Sequence, residues 1–405
     1  MARKMKDSGI EWIGEIPEGW EVVPVKRLCT MQAGKNLTSE QNAPEGTYPV
    51  YGGNGIRGFF SDYNCDGQFL TVGRQGALCG NVHKINGKVW ATEHAVITTP
   101  SSYTILDFLY YLLIGMNLNQ YVSSTAAQPG LAVGTLLNLK TCYPCSTLEQ
   151  TQTSNYLNAK CSEIDDLLTS VHSSIEDYKK LKQSVITQAV TKTIYDDFGN
   201  PSKFRKLRSL CDVLSKGTTP KDIETQNDEF YCIRYLKSEN IVSNQLNLNP
   251  TFFITAETNN SLERSKLNSG DILFVIAGAS IGKVAITTAD FLPANTNQAV
   301  AFIRLSSSYQ YATKYIWYFL QSDVVKQLIA LSAVQSAQPN LSLENLGAMR
   351  LPLPDQMGCL KITDYLDATC AEIDKLIAKK EQLVKELESY KKSLIYEVVT
   401  GKREV

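Results

Sequence analysis

Cys142 and Cys145 flank a Tyr-Pro dipeptide and form the one Cys-x-x-Cys motif of the chain. Such a pair can exchange disulfides or supply half of a zinc site. A structural zinc site needs four Cys or His ligands, but no second cysteine pair lies nearby and the chain has only 3 histidines, at positions 83, 94 and 172. The pattern therefore favours a proline-marked turn that carries two thiols.

Gly282-Lys283 is the nearest approach to a phosphate-binding loop. A P-loop needs Ser or Thr after the lysine and a glycine five residues before Gly282, whereas Val284 and Ala277 occupy those places. Glu93 precedes His94 and could tune it as a base, yet no paired Ser or Cys nucleophile is marked. We therefore expect no catalytic residue, no bound metal and no enzymatic activity in this chain.

Composition limits the protein class before any element is placed. The 405 residues are 43% hydrophobic with a formal net charge of −1, which suits two or three globular domains and excludes both wholesale disorder and a basic coat protein. Ten cysteines at irregular spacing are too few for a disulfide scaffold. Glu11, Glu15 and Glu18 interrupt any signal-peptide core, and apolar runs such as Phe108–Ile114 are too short to span a bilayer. We expect a cytoplasmic protein.

The elements that would position any site come in two copies. Tyr156–Thr193 aligns with Tyr365–Lys402 at a constant shift of 209 residues, and both copies carry Glu-Ile-Asp. Upstream, Ala127–Leu131 answers Ala337–Leu341 at a shift of 210 residues. Repeats of this length are duplicated domains rather than a solenoid.

Each repeated segment predicts a long helix with an apolar seam. Residues spaced alternately three and four apart indicate a coiled coil rather than a surface helix. The predicted seam of the first helix is Ile164, Leu167, Val171, Ser174, Tyr178, Leu181 and Val185, and that of the second is Ile373, Leu376, Lys380, Leu383, Leu387, Tyr390 and Leu394. We expect the two helices to pair with each other; the alternative is that each packs separately on its own domain.

The two parts upstream of the helices read as mixed α/β. Strands are predicted at Phe69–Val72, Ala95–Thr98, Ile272–Ile276 and Ala299–Ile303, and helices at Leu106–Met116 and Tyr311–Leu331. Because the alternation is irregular and no βαβ series emerges, we predict an α+β fold.

Several ordered motifs resemble the specificity subunit of Type I restriction-modification systems. They are Asp7–Pro17, Tyr48–Ile56, Gly73–Ala77, Ala127–Leu131 and the ending Val399–Lys402. The resemblance covers nearly the whole chain. It departs at Thr191-Lys192-Thr193, where the usual pattern has a glycine.

That resemblance implies a DNA reader without chemistry of its own. It implies two mixed α/β target-recognition domains in a pseudo-twofold arrangement, each followed by a long helix, with the helices pairing as an antiparallel coiled coil. The implied segments are a first recognition domain over 1–155, a central spacer helix over 156–195, a second recognition domain over 196–362 and a C-terminal spacer helix over 363–405. Each domain would read one half of a split double-stranded DNA target.

The implied partners are two adenine methyltransferase subunits and two translocating endonuclease subunits. S-adenosylmethionine, ATP and Mg²⁺ are expected on those partners, with no cofactor in this chain. A different class remains open: a coiled-coil protein-interaction scaffold that does not bind nucleic acid.

The repeat sorts the candidate DNA contacts. Features that both copies share cannot encode a difference between half-sites, so Gly76, Gly80, Gly278, Gly282, Gln128 and Gln338 are candidates for fold or phosphate positioning. Residues that differ at matched places are candidates for readout: Arg74-Gln75 against Ile276-Ala277, and Glu93-His94 against Asn297-Gln298. The full predicted DNA-binding set is Asn54, Arg57, Arg74, Gln75, His94, Gln128, Lys216, Thr218, Lys283, Asn297, Gln298 and Gln338. For each, a solvated loop side chain or a purely structural turn is the alternative.

Overall fold

The structure, a computed structural model, describes residues 3–38, 43–76, 79–122, 130–191, 203–333 and 340–405. It divides into two compact units. Unit 1 comprises Met1–His172 with Gln382–Val405, and unit 2 comprises Ser173–Glu381. The predicted segments 1–155, 156–195, 196–362 and 363–405 place each long helix in a segment of its own. In the structure each helix instead contributes one half to each unit, because it packs on both.

Unit 1 contains eleven strands among its described residues, and it holds two short α-helices and parts of both long ones. The strands are β1 (Met5–Asp7), β2 (Glu15–Pro17), β3 (Trp20–Pro24), β4 (Cys29–Ala33), β5 (Tyr48–Gly52), β6 (Gly55–Phe60), β7 (Gln68–Gly73), β8 (Val82–Asn86), β9 (Trp90–Ala91), β10 (Ala95–Pro100) and β11 (Lys140–Pro144). The helices are α1 (Leu106–Gly115), α2 (Val133–Asn138) and α3 (Thr147–Thr191).

The main sheet of unit 1 has the strand order β4-β10-β7-β8, with every pair antiparallel. A second sheet has the order β6-β5-β9, in which β5 and β9 run parallel. Phe108 and Leu112 of α1 pack with Leu70 and Val72 of β7 in the core. Alternating or continuous apolar residues in short strands, closed by an apolar helix, explain this layer arrangement.

Unit 2 repeats this plan. Its strands are β12 (Lys203–Lys206), β13 (Cys211–Lys216), β14 (Tyr231–Leu236), β15 (Ile241–Val242), β16 (Gln245–Leu246), β17 (Phe253–Thr255), β18 (Ile272–Val275), β19 (Val284–Ile286), β20 (Ala294–Thr296), β21 (Val300–Leu305) and β22 (Arg350–Leu353). Its helices are α4 (Ala256–Ser261), α5 (Thr313–Leu320), α6 (Asp323–Ala333), α7 (Leu343–Ala348) and α8 (Gln356–Val399).

The sheets of unit 2 have the same topology as those of unit 1. The antiparallel sheet β13-β21-β18-β19 matches β4-β10-β7-β8, and β17-β14-β20, with its one parallel pair, matches β6-β5-β9. The α+β prediction and the duplication are confirmed.

The predicted helix over Tyr311–Leu331 is wrong as a single element. The chain forms a 3₁₀ helix at Ser307–Ala312, then α5, and α6 begins at Asp323. Asp323 N–H donates to Thr187 Oγ1 at 3.0 Å, an N-terminal donor satisfied by α3 rather than by a preceding turn. The break is therefore made by tertiary contact, which the local apolar pattern does not report.

The long helices begin earlier than predicted, at Thr147 and Gln356, and each contacts the other in both units. In unit 1, Lys391 of α8 donates to Asp165 of α3 at 2.7 Å, while Arg403 just beyond α8 lies beside Tyr156. As α3 advances from 156 to 165, its partners retreat from 403 to 391, so the helices run antiparallel there.

The contact in unit 2 has the same geometry. Lys182 of α3 donates to Asp374 of α8 at 2.7 Å, and the Lys380 ammonium lies 5.7 Å from the Tyr178 ring centroid. The order is again antiparallel. The alternative in which each helix packs only on its own domain does not hold.

The seam in the structure differs from the predicted seam at every second position. Five predicted seam residues are at least 40% exposed: Leu167, Leu181, Leu376, Leu383 and Tyr390. The less exposed residues instead alternate four then three apart, and they are Ile164, Leu168, Val171, Ile175, Tyr178, Lys182 and Val185 in α3, and Ile373, Ile377, Lys380, Val384, Leu387, Lys391 and Leu394 in α8. Because Leu167-Leu168, Leu376-Ile377 and Leu383-Val384 are adjacent apolar pairs, the sequence permits either phase. Packing selects the second.

A matched tyrosine in each unit bonds a short helix to a long one. Tyr111 of α1 donates to Asn158 of α3 at 2.9 Å, and Tyr318 of α5 donates to Asp367 of α8 at 2.8 Å. Asn158 and Asp367 are matched by the 209-residue shift. Burial raises the pKa of both phenols, so both remain hydrogen-bond donors at neutral pH.

Candidate nucleic-acid interface

One glycine in each unit allows two loops to lie close together. An added Cβ on Gly34 would lie 2.2 Å from the carbonyl oxygen of Ala91, and one on Gly217 would lie 1.8 Å from that of Thr296. Both glycines donate their N–H to the first residue of the next sheet strand, Ala95 at 3.1 Å and Val300 at 3.2 Å. Only glycine permits this approach. Gly34 was not singled out by sequence reasoning, and its signal was only a glycine directly after a strand.

Three loops of unit 1 meet beside this contact, and we call them loop cluster 1: residues 52–55, 73–76 and 92–94. An added Cβ on Gly73 would lie 1.8 Å from the carbonyl oxygen of Gly53, and one on Gly53 would lie 2.8 Å from that of Gln75. Asn81 donates from Nδ2 to Asn54 Oδ1 at 2.7 Å. The structure thus brings Asn54 and Gln75 together.

Arg74 and His94 join the same cluster through the backbone. Arg74 N–H donates to the His94 carbonyl at 3.0 Å, and Leu131 N–H donates to the Arg74 carbonyl at 2.8 Å. Gly130 also bridges Gln75. The end of the Ala127–Leu131 motif therefore docks on this loop, whereas Gln128 lies outside the described residues.

Loop cluster 2 of unit 2 comprises residues 216–218, 275–278 and 296–299 and repeats these bonds. Ile276 N–H donates to the Ala299 carbonyl at 2.9 Å, and Leu341 N–H donates to the Ile276 carbonyl at 2.8 Å. Asn340 bridges Ala277 as Gly130 bridges Gln75. Gln338 lies outside the described residues.

These bonds correct one predicted correspondence. Gly73 pairs with Ala95, and the equivalent Val275 pairs with Val300, which sets a shift of 205 residues for this loop. Glu93 and His94 therefore match Gln298 and Ala299, not Asn297 and Gln298. The sequence comparison missed the change because the second copy has three more residues from the start of β19 to the end of β20 than the first has from the start of β8 to the end of β9, whereas the loop after the parallel strand has three residues in both. The match of Arg74-Gln75 to Ile276-Ala277 agrees with the bonds.

The other predicted contacts lie in or beside the clusters. Lys216 and Thr218 flank Gly217 and are exposed, and the Thr218 carbonyl accepts from Tyr235 Oη at 2.9 Å. Gln298 is exposed and Asn297 is half-buried. Lys283 is half-buried at the position that matches Asn81, its carbonyl accepting from Val275 at 2.9 Å. Arg57 is exposed on β6 and donates to the Leu37 carbonyl at 3.2 Å.

The four shared glycines have a left-handed backbone in both units. Gly76, Gly80, Gly278 and Gly282 have φ angles of +90°, +95°, +85° and +89°. Gly80 N–H donates to the Gly73 carbonyl at 2.8 Å, and Gly282 N–H to that of Val275 at 2.9 Å. A left-handed backbone is what these positions require, which favours their structural reading.

The described residues contain no group of three or more His, Cys, Asp or Glu placed to hold a metal ion. Cys142 is buried in β11, where burial raises the pKa of its thiol to about 12, and Cys145 is exposed. A thiol with so high a pKa is a poor nucleophile and a poor metal ligand at neutral pH. Among the described helices, none is long and apolar enough to cross a membrane.

The two loop clusters repeat one framework and differ in their side chains at matched positions, which defines a duplicated domain. The family model for the Type I restriction modification DNA specificity domain matches residues 17–176 and again 200–386. The chain belongs to this family.

Relatives with known names match either part of this chain or nearly all of it. The Type I restriction enzyme EcoprrI specificity subunit of Escherichia coli is 41% identical over 148 residues, a stretch that spans 36% of this chain and 35% of that protein. The MjaVIII specificity subunit of Methanocaldococcus jannaschii is 23% identical over 96% of this chain and 93% of its own. A solved chain from a study of complex assembly and conformational transition of the type I R-M system aligns with a TM-score of 0.70 at 14% identity, covering 96% of this chain and 99% of that one.

Proposed function

We propose that this chain is a DNA-recognition subunit that reads a bipartite target. Unit 1 reads one half-site, unit 2 reads the other, and the paired long helices set the distance between them. One observation carries the proposal: the two units share the same backbone framework but carry different side chains at matched loop positions. The same backbone bonds hold Arg74 in one cluster and Ile276 in the other. A repeated scaffold with exchanged loop residues is suited to reading two different sequences.

Charge supports base readout over general phosphate attraction. The formal net charge is −1, so the chain lacks the basic excess that supplies non-specific DNA affinity. Loop cluster 1 contains Asn54 and Gln75, and Asn81 lies beside it, bonded to Asn54; the amides of these residues can pair with base edges. We infer weak DNA binding by the chain alone and strong binding when basic partners add phosphate contacts.

The partners we propose are two adenine methyltransferase subunits, which two ATP-driven translocating endonuclease subunits can join. Support comes from five exposed large apolar side chains of the long helices that recur at multiples of seven residues outside the seam, which we call the outer stripe: Leu167, Leu181, Leu376, Leu383 and Tyr390. Exposed large apolar side chains that recur along one face of a helix are typical of a protein contact. In this proposal S-adenosylmethionine, ATP and Mg²⁺ bind the partners, the chain itself catalyses nothing, and the assembly acts in the cytoplasm.

Selection from a random duplex pool tests the proposal. The full chain is incubated with the pool alone and together with a Type I adenine methyltransferase, and bound DNA is sequenced. We expect two short conserved blocks separated by a fixed number of unconserved positions, enriched strongly only with the methyltransferase. Enrichment of no sequence under either condition would contradict the proposal.

A protein-interaction scaffold without nucleic-acid binding is the second candidate, and the outer stripe supports it equally. The same selection separates the two. A scaffold would bind the methyltransferase, as measured by co-purification, and would leave the sequence preference of that enzyme unchanged. A DNA reader would impose its own.

A further inference from the structure

Loop cluster 1 holds four polar side-chain atoms without a hydrogen-bond partner among the described residues: Thr92 Oγ1 and three atoms on ionisable side chains. Arg74 Nε, Glu93 Oε2 and His94 Nδ1 are inaccessible to solvent and have no hydrogen-bond partner among the described residues. Buried polar atoms in folded proteins are nearly always paired, and exceptions point to a ligand or another functional role. Three such atoms on adjoining loops are therefore a ligand signal.

The surroundings fix what such a ligand must offer. Glu93 Oε1 lies 3.1 Å from His94 Nε2, which orients the carboxylate, and both side chains are 36% exposed. Arg74 is joined to His94 by a 3.0 Å backbone hydrogen bond. A guanidinium only donates and an ionised carboxylate only accepts. The ligand must present an acceptor and a donor side by side, within reach of two adjoining loops.

We propose that Arg74 and Glu93 read one G·C base pair in the half-site of unit 1, an inference that rests on the proposed function. In the major groove guanine presents the N7 and O6 acceptors and its paired cytosine presents the N4 amino donor. In this inference Arg74 donates to guanine and Glu93 accepts from cytosine. His94 is a positioning residue that holds Glu93.

Unit 2 lacks this combination. The matched residues are Ile276, which is 3% exposed, Gln298 and Ala299. An apolar buried side chain cannot donate to guanine, and alanine cannot orient residue 298. Loop cluster 2 consequently does not impose a G·C pair at the matched place, so the two half-sites differ there.

The test compares Arg74→Gln, Glu93→Gln and, as a matched control in unit 2, Gln298→Ala. Each full-length variant is taken with a Type I adenine methyltransferase through the random-pool selection. Both unit 1 variants should relax the same single G·C position, with preference for that pair falling about 10- to 100-fold. Glutamine favours adenine, so Arg74→Gln should shift enrichment from guanine to adenine. Gln298→Ala should leave that half-site unchanged, and thermal unfolding checks that all variants fold.

Base analogues separate contact from structure. 7-Deazaguanine lacks the N7 acceptor, so placing it at that position should weaken the wild-type complex and leave the Arg74→Gln complex unaffected. The inference is overturned if the two variants alter different positions, if they alter none, or if the analogue weakens both complexes equally. If the wild-type chain selects a bipartite motif and the variants select the same motif with no position relaxed, only this inference is refuted. A wild-type chain without any preference refutes the proposed function, and this inference with it.

Discussion

Lys391 of the second long helix donates to Asp165 of the first at 2.7 Å, and the same contact recurs with its partners exchanged. Adding the 209-residue shift converts Asp165 into Asp374 and Lys182 into Lys391, so the repeated contact is Lys182 to Asp374. Each copy of the helix therefore supplies its acid to one unit and its base to the other. The duplication is built into the helix contact itself.

Reversing the charge of one residue of this ion pair should destabilise the contact, and reversing the charge of its partner as well should restore it. Asp165→Lys places a cation beside Lys391, whereas the double variant Asp165→Lys with Lys391→Asp restores attraction. Because the side chains are 56% and 28% exposed, the coupling free energy should be small, about 0.2–1 kcal/mol. A double-mutant cycle by chemical denaturation measures it, and the Lys182–Asp374 cycle is the matched control, expected to give a similar value. Coupling in one pair and none in the other would contradict the equivalence.

The displaced seam predicts opposite outcomes at adjacent residues. Val384 is 9% exposed and Leu383 is 41% exposed. Val384→Asp buries an unpaired carboxylate and should lower the free energy of unfolding by several kcal/mol, roughly 3–5. Leu383→Asp should cost under about 1 kcal/mol while weakening methyltransferase binding through the outer stripe. Thermal unfolding measures the loss of stability, and co-purification measures methyltransferase binding. If Leu383→Asp destabilised the chain more than Val384→Asp, then Leu383 rather than Val384 would belong to the seam.

Sequence reasoning found the duplication and the long helices because a constant shift and a three-four alternation are local signals. The phase of the seam was beyond it. Leu383-Val384 offers an apolar residue to either phase, and only the partner helix chooses between them. The break before Asp323 has the same origin, since Thr187 from a distant helix caps it.

The close approach of Gly217 predicts intolerance to a single methyl group. Gly217→Ala would place a Cβ 1.8 Å from the Thr296 carbonyl oxygen, so the loop must move. We expect a loss of roughly 1–3 kcal/mol in the free energy of unfolding and loss of selection at the unit 2 half-site. Gly134→Ala in α2 is the control, because nothing lies within 4 Å of its Cβ position and alanine favours helices. Equal stability of both variants would exclude the steric account.

The candidate site was only partly accessible from sequence. Arg74, Gln75 and His94 were chosen because they differ between the copies, Asn54 was named in the Gly-rich turn, and the fold does place all four in one cluster. Gly34 was missed because its role depends on the Ala91 carbonyl of a distant strand. Glu93 was singled out for readout only as part of the Glu93-His94 pair, without a role of its own. Its orphaned oxygen becomes visible when the loops are folded together.

Exchange of one domain should change one half-site. Strands β3 and β11 lie at the two ends of the first domain and pair with each other, with Trp20 opposite Pro144. The two ends of an inserted module therefore lie side by side. Replacing residues 20–144 with the equivalent part of a relative should alter the unit 1 half-site and leave the other unchanged. Random-pool selection reads both halves at once. Alteration of both would show that the units do not read independently.

Lengthening both long helices should lengthen the spacer between half-sites. One heptad inserted after Val171 and one after the matched Lys380 keep the seam in register and add ~10 Å. At ~3.4 Å per base pair this corresponds to at most ~3 base pairs, and DNA twist selects among the new spacings. Selection on a library of spacers measures the change. An unchanged spacer with activity retained would mean that docked partners set the distance.

The central claim is that one chain reads two separate half-sites at a fixed distance. Sequencing of methylated adenines in the DNA of cells that express the chain with a Type I adenine methyltransferase tests it most directly. The account predicts one motif of two short specified blocks, with methylated adenines and a constant unspecified spacer. A single contiguous motif, or methylation that is the same with and without this chain, would contradict it.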